Sequence, residues 1–517
     1  MITETSAAAR RTGGGAARRV ARNSLLPLAA NIVGRAMSIV IAVVMARTLG
    51  ASGTGLYAVA VNLWLYASII ADFGLGTWLT REVARHPEHA RQHVGDALGL
   101  RLLLSALALP VLLLAALLAG YIEGGRVDPI LLATVALLGV GLVPGAVSAS
   151  GSALFNAHEE MTFPAGLQLV GAALTTAGGV VVLLLGFDLV ALGWVSLVVN
   201  LATAAVFAWA SARRFFPLMA TLHPARQRRM AGEAWPLLLN NLLNNVFFRF
   251  DVQVLQSKGS AVVGYYASAY KVIDAAGAVP SSFVLALFPL LSRRAAEEAK
   301  AGEPKIEETA AESTADGLGR VYRLALKLLL VVAWPAAIAI TYLAEDVITW
   351  LAGPAFLPDA AIALCILIWF LPLSFFNGLT QYVLIAAGRQ RRITSAFAGA
   401  ALFNVVANVA LIPRFSYVAA AGVTIATEVL LLFPFLFALR GRVALPPVLG
   451  AALRPLPAAL AMGLLLWGLG GPAGLPRLLS VVVAGVAYVL LIGATVVFDR
   501  AERRVLFSLL PARARPR

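Results

Sequence analysis

The sequence predicts an all-α polytopic membrane protein that crosses the bilayer about fourteen times and is built as two related halves. Three observations carry this. The 517 residues are 60% hydrophobic and 13% charged, with a mean hydropathy of +0.84. No soluble domain of this size has the interior to bury so much apolar surface. Apolar runs of about 20 residues, the length that crosses about 30 Å of hydrocarbon, recur along the chain. Finally, the stretch Arg47–Asn62 (RTLGASGTGLYAVAVN) returns 209 residues later as Gln256–Lys271 (QSKGSAVVGYYASAYK).

In the repeat, Gly50 falls on Gly259, Gly55 on Gly264, Tyr57 on Tyr266, Ala58 on Ala267 and Ala60 on Ala269. Five identities in sixteen positions exceed the roughly one or two that composition alone would produce. Asn31 also falls on Asn240 in the preceding apolar run. Each copy is read as a tight turn joining the first two helices of a half.

In chain order, the first six spans run at 24–46, 55–77, 97–119, 129–152, 163–186 and 189–211. The next four run at 234–256, 261–289, 321–343 and 361–386, and the last four at 393–413, 418–439, 449–469 and 477–498. Pro and Gly recur inside them, as is common in membrane helices. The expected organisation is a basic N-terminus (1–23), an N-lobe (24–212) and the start of a C-lobe (213–291). A charged linker (292–320), the rest of the C-lobe (321–440), a last pair of spans (441–499) and a basic tail (500–517) follow.

A net charge of +15 could suggest nucleic acid, but the bases are scattered over many short loops. With the N-terminus in the cytoplasm, 33 of the 41 Lys and Arg fall on the cytoplasmic side and 5 outside. This bias sets orientation and places both termini in the cytoplasm. The single cysteine, Cys365, excludes a disulfide framework or a cysteine metal cluster. Every outward loop is short, so no external domain is available.

The remaining three bases lie within spans: Arg35 in the first, Arg249 in the seventh and Lys271 in the eighth. Charge at membrane depth is costly, so such residues face a cavity or each other. Asn31 and Arg35 share a helix face, and Asn241, Asn245 and Arg249 form a stripe at i, i+4, i+8. These six residues are the candidate substrate contacts: cations for an anionic group, amides for sugar hydroxyls. Asp274 and Glu428 are candidates for a coupling proton or Na⁺. The competing reading is internal pairing, Arg249 with Asp251 and Lys271 with Asp274 or Glu428, with Asn side chains joining helices. Four membrane acids (Asp72, Asp251, Asp274, Glu428) against three bases leave the sign of a cavity open. Asn377, Gln381, Asn404 and Asn408 are read as helix-packing groups.

No enzyme signature is present: no Walker motif, HExxH, DxD or GxSxG in a strand context. His86, His89 and His93 share one loop, where a solvated basic segment is a better reading than a metal site. No cofactor is expected.

Residues Arg47–Arg85, Arg249–Val272 with LFPLLSR (Leu287–Arg293), and Gly388–Glu428 with its paired Asn404 and Asn408 and Ile-Pro-Arg turn resemble, in register, the polysaccharide-biosynthesis (O-antigen-type) flippases. These belong to the multidrug/oligosaccharidyl-lipid/polysaccharide (MOP) exporter superfamily. The resemblance implies two six-helix lobes with pseudo-two-fold symmetry, an added C-terminal helix pair and a central cavity open alternately to each side. It implies undecaprenyl-pyrophosphate-linked oligosaccharide as substrate, in a bacterial inner membrane, and a polysaccharide polymerase and glycosyltransferases as partners. Related lipid-linked precursor flippases use cavity Arg residues for the pyrophosphate, a role that Arg35 and Arg249 would take. The alternatives are a cation-coupled multidrug exporter, against which the three bases weigh, and a peptidoglycan-precursor flippase. A membrane polymerase or ligase would need an external acceptor site.

Overall fold

A computed structural model describes residues 2–124, 128–301, 317–440, 443, 445–470, 475–494, 498–499 and 502. The middle of the charged linker and nearly all of the basic tail lie outside these residues. The chain divides into two compact units. Unit 1 comprises Met1–Lys271 with Leu351–Phe356 and Asn408–Tyr417; unit 2 comprises Val272–Trp350, Leu357–Ala407 and Val418–Arg517.

Unit 1 holds α1 (Ile2–Asp72), α2 (Leu75–Arg85), α3 (Ala90–Gly124), α4 (Pro129–Val140), α5 (Leu142–Ala157), α6 (Thr162–Leu184), α7 (Leu189–Arg214) and α8 (Pro224–Leu255). It also contains most of α9 (Ser260–Ala276). A straight helix of 71 residues would reach about 105 Å, several times the bilayer core. Instead α1 breaks at Gly50, whose φ of 66° is a conformation that glycine adopts without strain. The two arms of α1 are the first and second expected spans. Asp128 and Asp188 cap α4 and α7, accepting from Ile130 N at 2.8 Å and Val190 N at 3.0 Å. Helix α1 packs on α3 and α6, and α5 on α7.

The repeat is visible in the backbone. Gly259, the counterpart of Gly50, has a φ of 101° just before α9. The other repeated glycines meet each other. A Cβ on Gly55 would lie 1.7 Å from the Ser260 carbonyl oxygen and 2.9 Å from Gly264 N. A Cβ on Gly264 would lie 2.0 Å from the Ala51 carbonyl oxygen. Ala51 and Ser260 are also counterparts in the repeat, so the contact maps onto itself when the copies are exchanged. That reciprocity is what a local two-fold axis produces, and it places the two turns side by side, as parallel repeats require.

Unit 2 contains α10 (Ala278–Ala301), α11 (Leu318–Tyr342), α12 (Ala344–Leu351), α13 (Asp359–Leu367) and α14 (Phe370–Ala386). There follow α15 (Gln390–Leu439), whose Asn408–Tyr417 belongs to unit 1, α16 (Leu445–Leu453), α17 (Leu456–Gly470) and α18 (Arg477–Ala494). Helix α15 breaks at Ser416 (φ 54°), between the eleventh and twelfth expected spans. The C-terminal pair α17–α18 shares a core of Ala459, Met462, Leu466, Ala484 and Tyr488, packed on Trp334 and Ile338 of α11. The Tyr488 hydroxyl donates to Val331 O at 2.8 Å.

Among the described residues, ten helical stretches are long and apolar enough to cross a membrane. Two of them are double, broken at Gly50 and Ser416. The seventh and eighth expected spans, on α8 and α9–α10, are absent from that set: α8 carries NNLLNNVFFRFD, and α9 ends after 17 residues, before α10 begins.

Two bases assigned to the cytoplasmic side by the charge count are not loop residues. Arg101 is 1% exposed and donates to Asp72 at 2.6 Å and Ser150 at 2.8 Å. Lys327 is 3% exposed and donates to both carboxylate oxygens of Glu502, at 2.9 and 2.7 Å. Each is buried because an acid distant in sequence neutralises it. Without them the charge bias persists.

Candidate functional site

The second arm of α1, α8 and α9 bring polar residues together in unit 1. Asn62 is buried and its amide donates to Arg249 O at 3.0 Å. Its own carbonyl oxygen, and the Tyr66 hydroxyl one turn further on, are buried without a hydrogen-bond partner among the described residues. The Arg249 guanidinium lies 4.9 Å from the Tyr270 ring centroid, a cation–π geometry. Asp251, two residues on, accepts from the Tyr266 hydroxyl. The stripe on α8 therefore splits between partners: Arg249 stacks on an aromatic face while Asp251 is buried against a phenol.

The other expected contacts distribute as follows. Arg35 is half-buried on the first arm of α1, and Lys271 is half-buried on α9. Asn245 is half-buried and donates to the carbonyl of Asn241, whose side chain is exposed. The side chain of Asn31 lies outside the described residues. Asp274 is half-buried on the stretch of α9 in unit 2.

Glu428 is 2% exposed on the second arm of α15. The Asn377 amide donates to its carboxylate at 2.5 Å and to its backbone carbonyl at 2.9 Å. Asn404 donates to the neighbouring Thr427 hydroxyl at 3.2 Å. Asn377 and Asn404 thus join helices, as expected, and Asn377 does so through the candidate coupling acid. The spacing within one helix could not reveal this, because the two residues belong to different spans.

A feature missed in the sequence is a polar cavity inside unit 1 alone, with a volume of about 910 Å³. It lies among α2, α5, α6 and α7. Thr80, Ser152, Asn156, Gln168, Thr175 and Asn200 line it, with Arg81 at its edge. The Ser148 hydroxyl in its wall is buried with no partner among the described residues. The volume is in the range of small-molecule sites. Its residues come from four spans, one or two polar side chains from each turn, and no single span carries enough of them to signal a site. Buried Arg101 and half-buried Asp72 line a smaller adjoining cavity of about 270 Å³ that shares Asn200.

The three histidines stay near one another, with the His89 and His93 rings 6.1 Å apart. His86 and His89 are exposed beside Glu88, at 3.4 and 3.2 Å, while the His93 ring meets Trp78 edge-on at 5.8 Å. Among the described residues no group of His, Cys, Asp and Glu could hold a metal ion.

A family model described as polysaccharide biosynthesis protein matches residues 20–294. No curated protein matches the chain. Among solved structures, the lipid II flippase MurJ in an inward closed conformation superposes with a TM-score of 0.71 at 12% identity, over 93% of this chain and 100% of that one. An inward-facing multidrug resistance MATE family transporter of the MOP superfamily gives 0.59 at 15% identity, over 78% and 93%. A MOP superfamily transporter from Pyrococcus furiosus, for which a reverse polarity of the binding pocket is reported, gives 0.52 at 16%, over 81% and 94%. At these identities the likeness is one of fold.

Proposed function

The chain belongs to the polysaccharide biosynthesis protein family, and on that premise we propose that it is a flippase carrying undecaprenyl-pyrophosphate-linked oligosaccharide from the cytoplasmic to the outer leaflet. The observation that carries the reading is hydrogen-bonding capacity at membrane depth. Sugar hydroxyls and a pyrophosphate entering about 30 Å of hydrocarbon lose water without replacement. The polar cavity of unit 1 replaces it with Thr, Ser, Asn and Gln side chains. Arg35, Arg249 and Lys271 are the cations for the pyrophosphate. Alternating access then presents the bound headgroup to one side and afterwards to the other.

The sequence carries no nucleotide-binding motif, so the drive is an ion gradient, the membrane potential or removal of product outside. Moving one negative charge outward against a negative interior is downhill by about 2.3 kcal/mol per 100 mV. Glu428 and Asp274 are the proposed coupling acids. Glu428→Gln keeps the shape that Asn377 grips but cannot bind and release a proton. Transport is expected to lose its dependence on an imposed gradient, and a fully retained dependence would exclude Glu428.

The function is tested by deleting the protein and assaying the lipid-linked saccharide in each leaflet. Accumulation in the inner leaflet is expected; normal outward display, or loss of drug efflux instead, would favour the exporter reading. Arg249→Ala removes a charge-assisted contact worth about 1.5–3 kcal/mol, so binding of a pyrophosphate-linked substrate should weaken about 10- to 150-fold. Unchanged affinity would exclude that contact. The proposed orientation puts Phe187, in the α6–α7 turn, outside and Gly232, on α8, inside. In a Cys365→Ala background, Phe187→Cys should react with an impermeant thiol reagent added to intact cells and Gly232→Cys should not. The opposite pattern would invert the topology.

A further inference from the structure

Resting on the flippase reading, we infer that Tyr270 is the positioning residue of the pyrophosphate contact: its ring is a fixed platform for the Arg249 guanidinium, and it aids binding only through Arg249. All the groups involved belong to unit 1. The guanidinium lies 4.9 Å from the ring centroid. Tyr270 is 6% exposed, whereas Arg249 is half-buried. The ring is inside the unit, and the cation keeps an accessible part.

The platform is tied down on several sides. The Tyr270 hydroxyl donates to Phe248 O at 3.3 Å, one residue before Arg249 on α8. The Tyr266 ring, one turn back on α9, lies 5.8 Å away, and its hydroxyl is anchored on Asp251. From the second arm of α1, Asn62 donates to Arg249 O at 3.0 Å. The ring and the backbone that carries the cation are thus fixed to each other.

This arrangement answers a specific cost. Arginine carries its planar fork on a long stem, whose rotamer freedom is lost when the fork grips a ligand. A ring face that holds the guanidinium beforehand removes part of that loss. The face attracts the cation without neutralising it, because a phenol ring has no net charge. Asp251, the acid nearest in the chain, has its carboxylate engaged by the Tyr266 hydroxyl and by Val252 N at 2.8 Å. A guanidinium held in this way can take two phosphate oxygens at once.

The internal repeat separates this role from that of the turn. At the offset of 209, Arg249 falls on Val40 and Tyr270 on Val61. The first copy keeps the turn glycines and the tyrosine equivalent to Tyr266, Tyr57, yet has neither the cation nor its platform. Building the turn therefore does not require Tyr270. Ring and arginine occur together in one copy and are missing together from the other.

The test measures equilibrium binding of radiolabelled undecaprenyl diphosphate bearing a disaccharide to the full-length protein in phosphatidylethanolamine–phosphatidylglycerol vesicles. Tyr270→Leu should weaken binding about 3- to 30-fold, the range of a partly desolvated cation–π contact. Tyr270→Phe keeps the ring and should recover most of that loss. In an Arg249→Ala background, Tyr270→Leu should change binding by no more than about twofold. A purely packing role would weaken binding equally in both backgrounds. Tyr270→Met, unbranched and apolar, takes the place of the leucine variant should that one misfold. An equal loss with and without Arg249, or no loss with Arg249 present, would overturn the inference and leave Arg249 as a phosphate contact. Binding that is unaffected by Arg249→Ala would overturn both that contact and the role of Tyr270. Failure of the parent protein to bind the probe would overturn the flippase reading itself.

Discussion

Gly55→Val is expected to abolish transport and to destabilise the protein by about 3 kcal/mol or more. Overpacking a close-packed core costs about 1–3 kcal/mol when neighbouring side chains can shift. Here the first added carbon would sit 1.7 Å from a backbone carbonyl oxygen, and a helix backbone cannot rotate away as a side chain can. The second arm of α1 and the start of α9 would have to separate. Gly264→Val should do the same, since its Cβ meets the Ala51 carbonyl at 2.0 Å. Gly166→Ala, on α6 with nothing within 4 Å of its Cβ, is the control and should be neutral or slightly stabilising. The measurement is the midpoint of thermal aggregation of detergent-purified protein together with transport. A Gly55→Val protein that melts and transports like the parent would show that the crossing is not tight.

The second large effect is at the ion pair of buried Arg101 with half-buried Asp72. Asp72→Asn should leave Arg101, 1% exposed, without its counter-charge. Removing one partner of a fully buried pair costs about 3–5 kcal/mol, much of it the stranded charge; with the Asp72 side chain 35% exposed, the loss here should fall below that range. The variant should be recovered at low yield. The paired change Asp72→Asn with Arg101→Met should restore much of the loss, because no charge is then stranded. If the double variant is as unstable as the sum of the singles, the pair is not the unit. Ser150, which also bonds Arg101 at 2.8 Å, supports the geometry but carries no charge.

The halves and their turns were legible in sequence because glycine marks a backbone requirement. Gly50 and Gly259 supply positive φ, and Gly55 and Gly264 supply the absence of a side chain. Either demand leaves a residue that periodicity cannot hide. The break at Ser416 was legible only as a gap between apolar runs, since a serine there announces no special backbone. The charge count took Arg101 and Lys327 for loop bases, because it counts bases without knowing which acid lies beside them in space. The i, i+4, i+8 spacing was legible as a stripe of Asn241, Asn245 and Arg249 on α8. The Asn62 link to Arg249, the Asn377 grip on Glu428 and the polar lining of unit 1 were not. Each of these joins helices remote in sequence, and single-helix spacing carries no information about such neighbours.

The bond between Lys327 and Glu502 spans 175 residues of chain, and that separation is also a delay. Ribosomes extend a chain at about 5–20 residues per second, so roughly 9–35 s pass between the two residues. For that interval α11 is made and its ammonium group has no carboxylate to meet. The helix must wait with Lys327 in contact with water or lipid headgroups, and it can settle into its final depth only when the segment of Glu502, made 175 residues later, arrives. The order of synthesis therefore makes the neutralisation of α11 a late step in the maturation of unit 2.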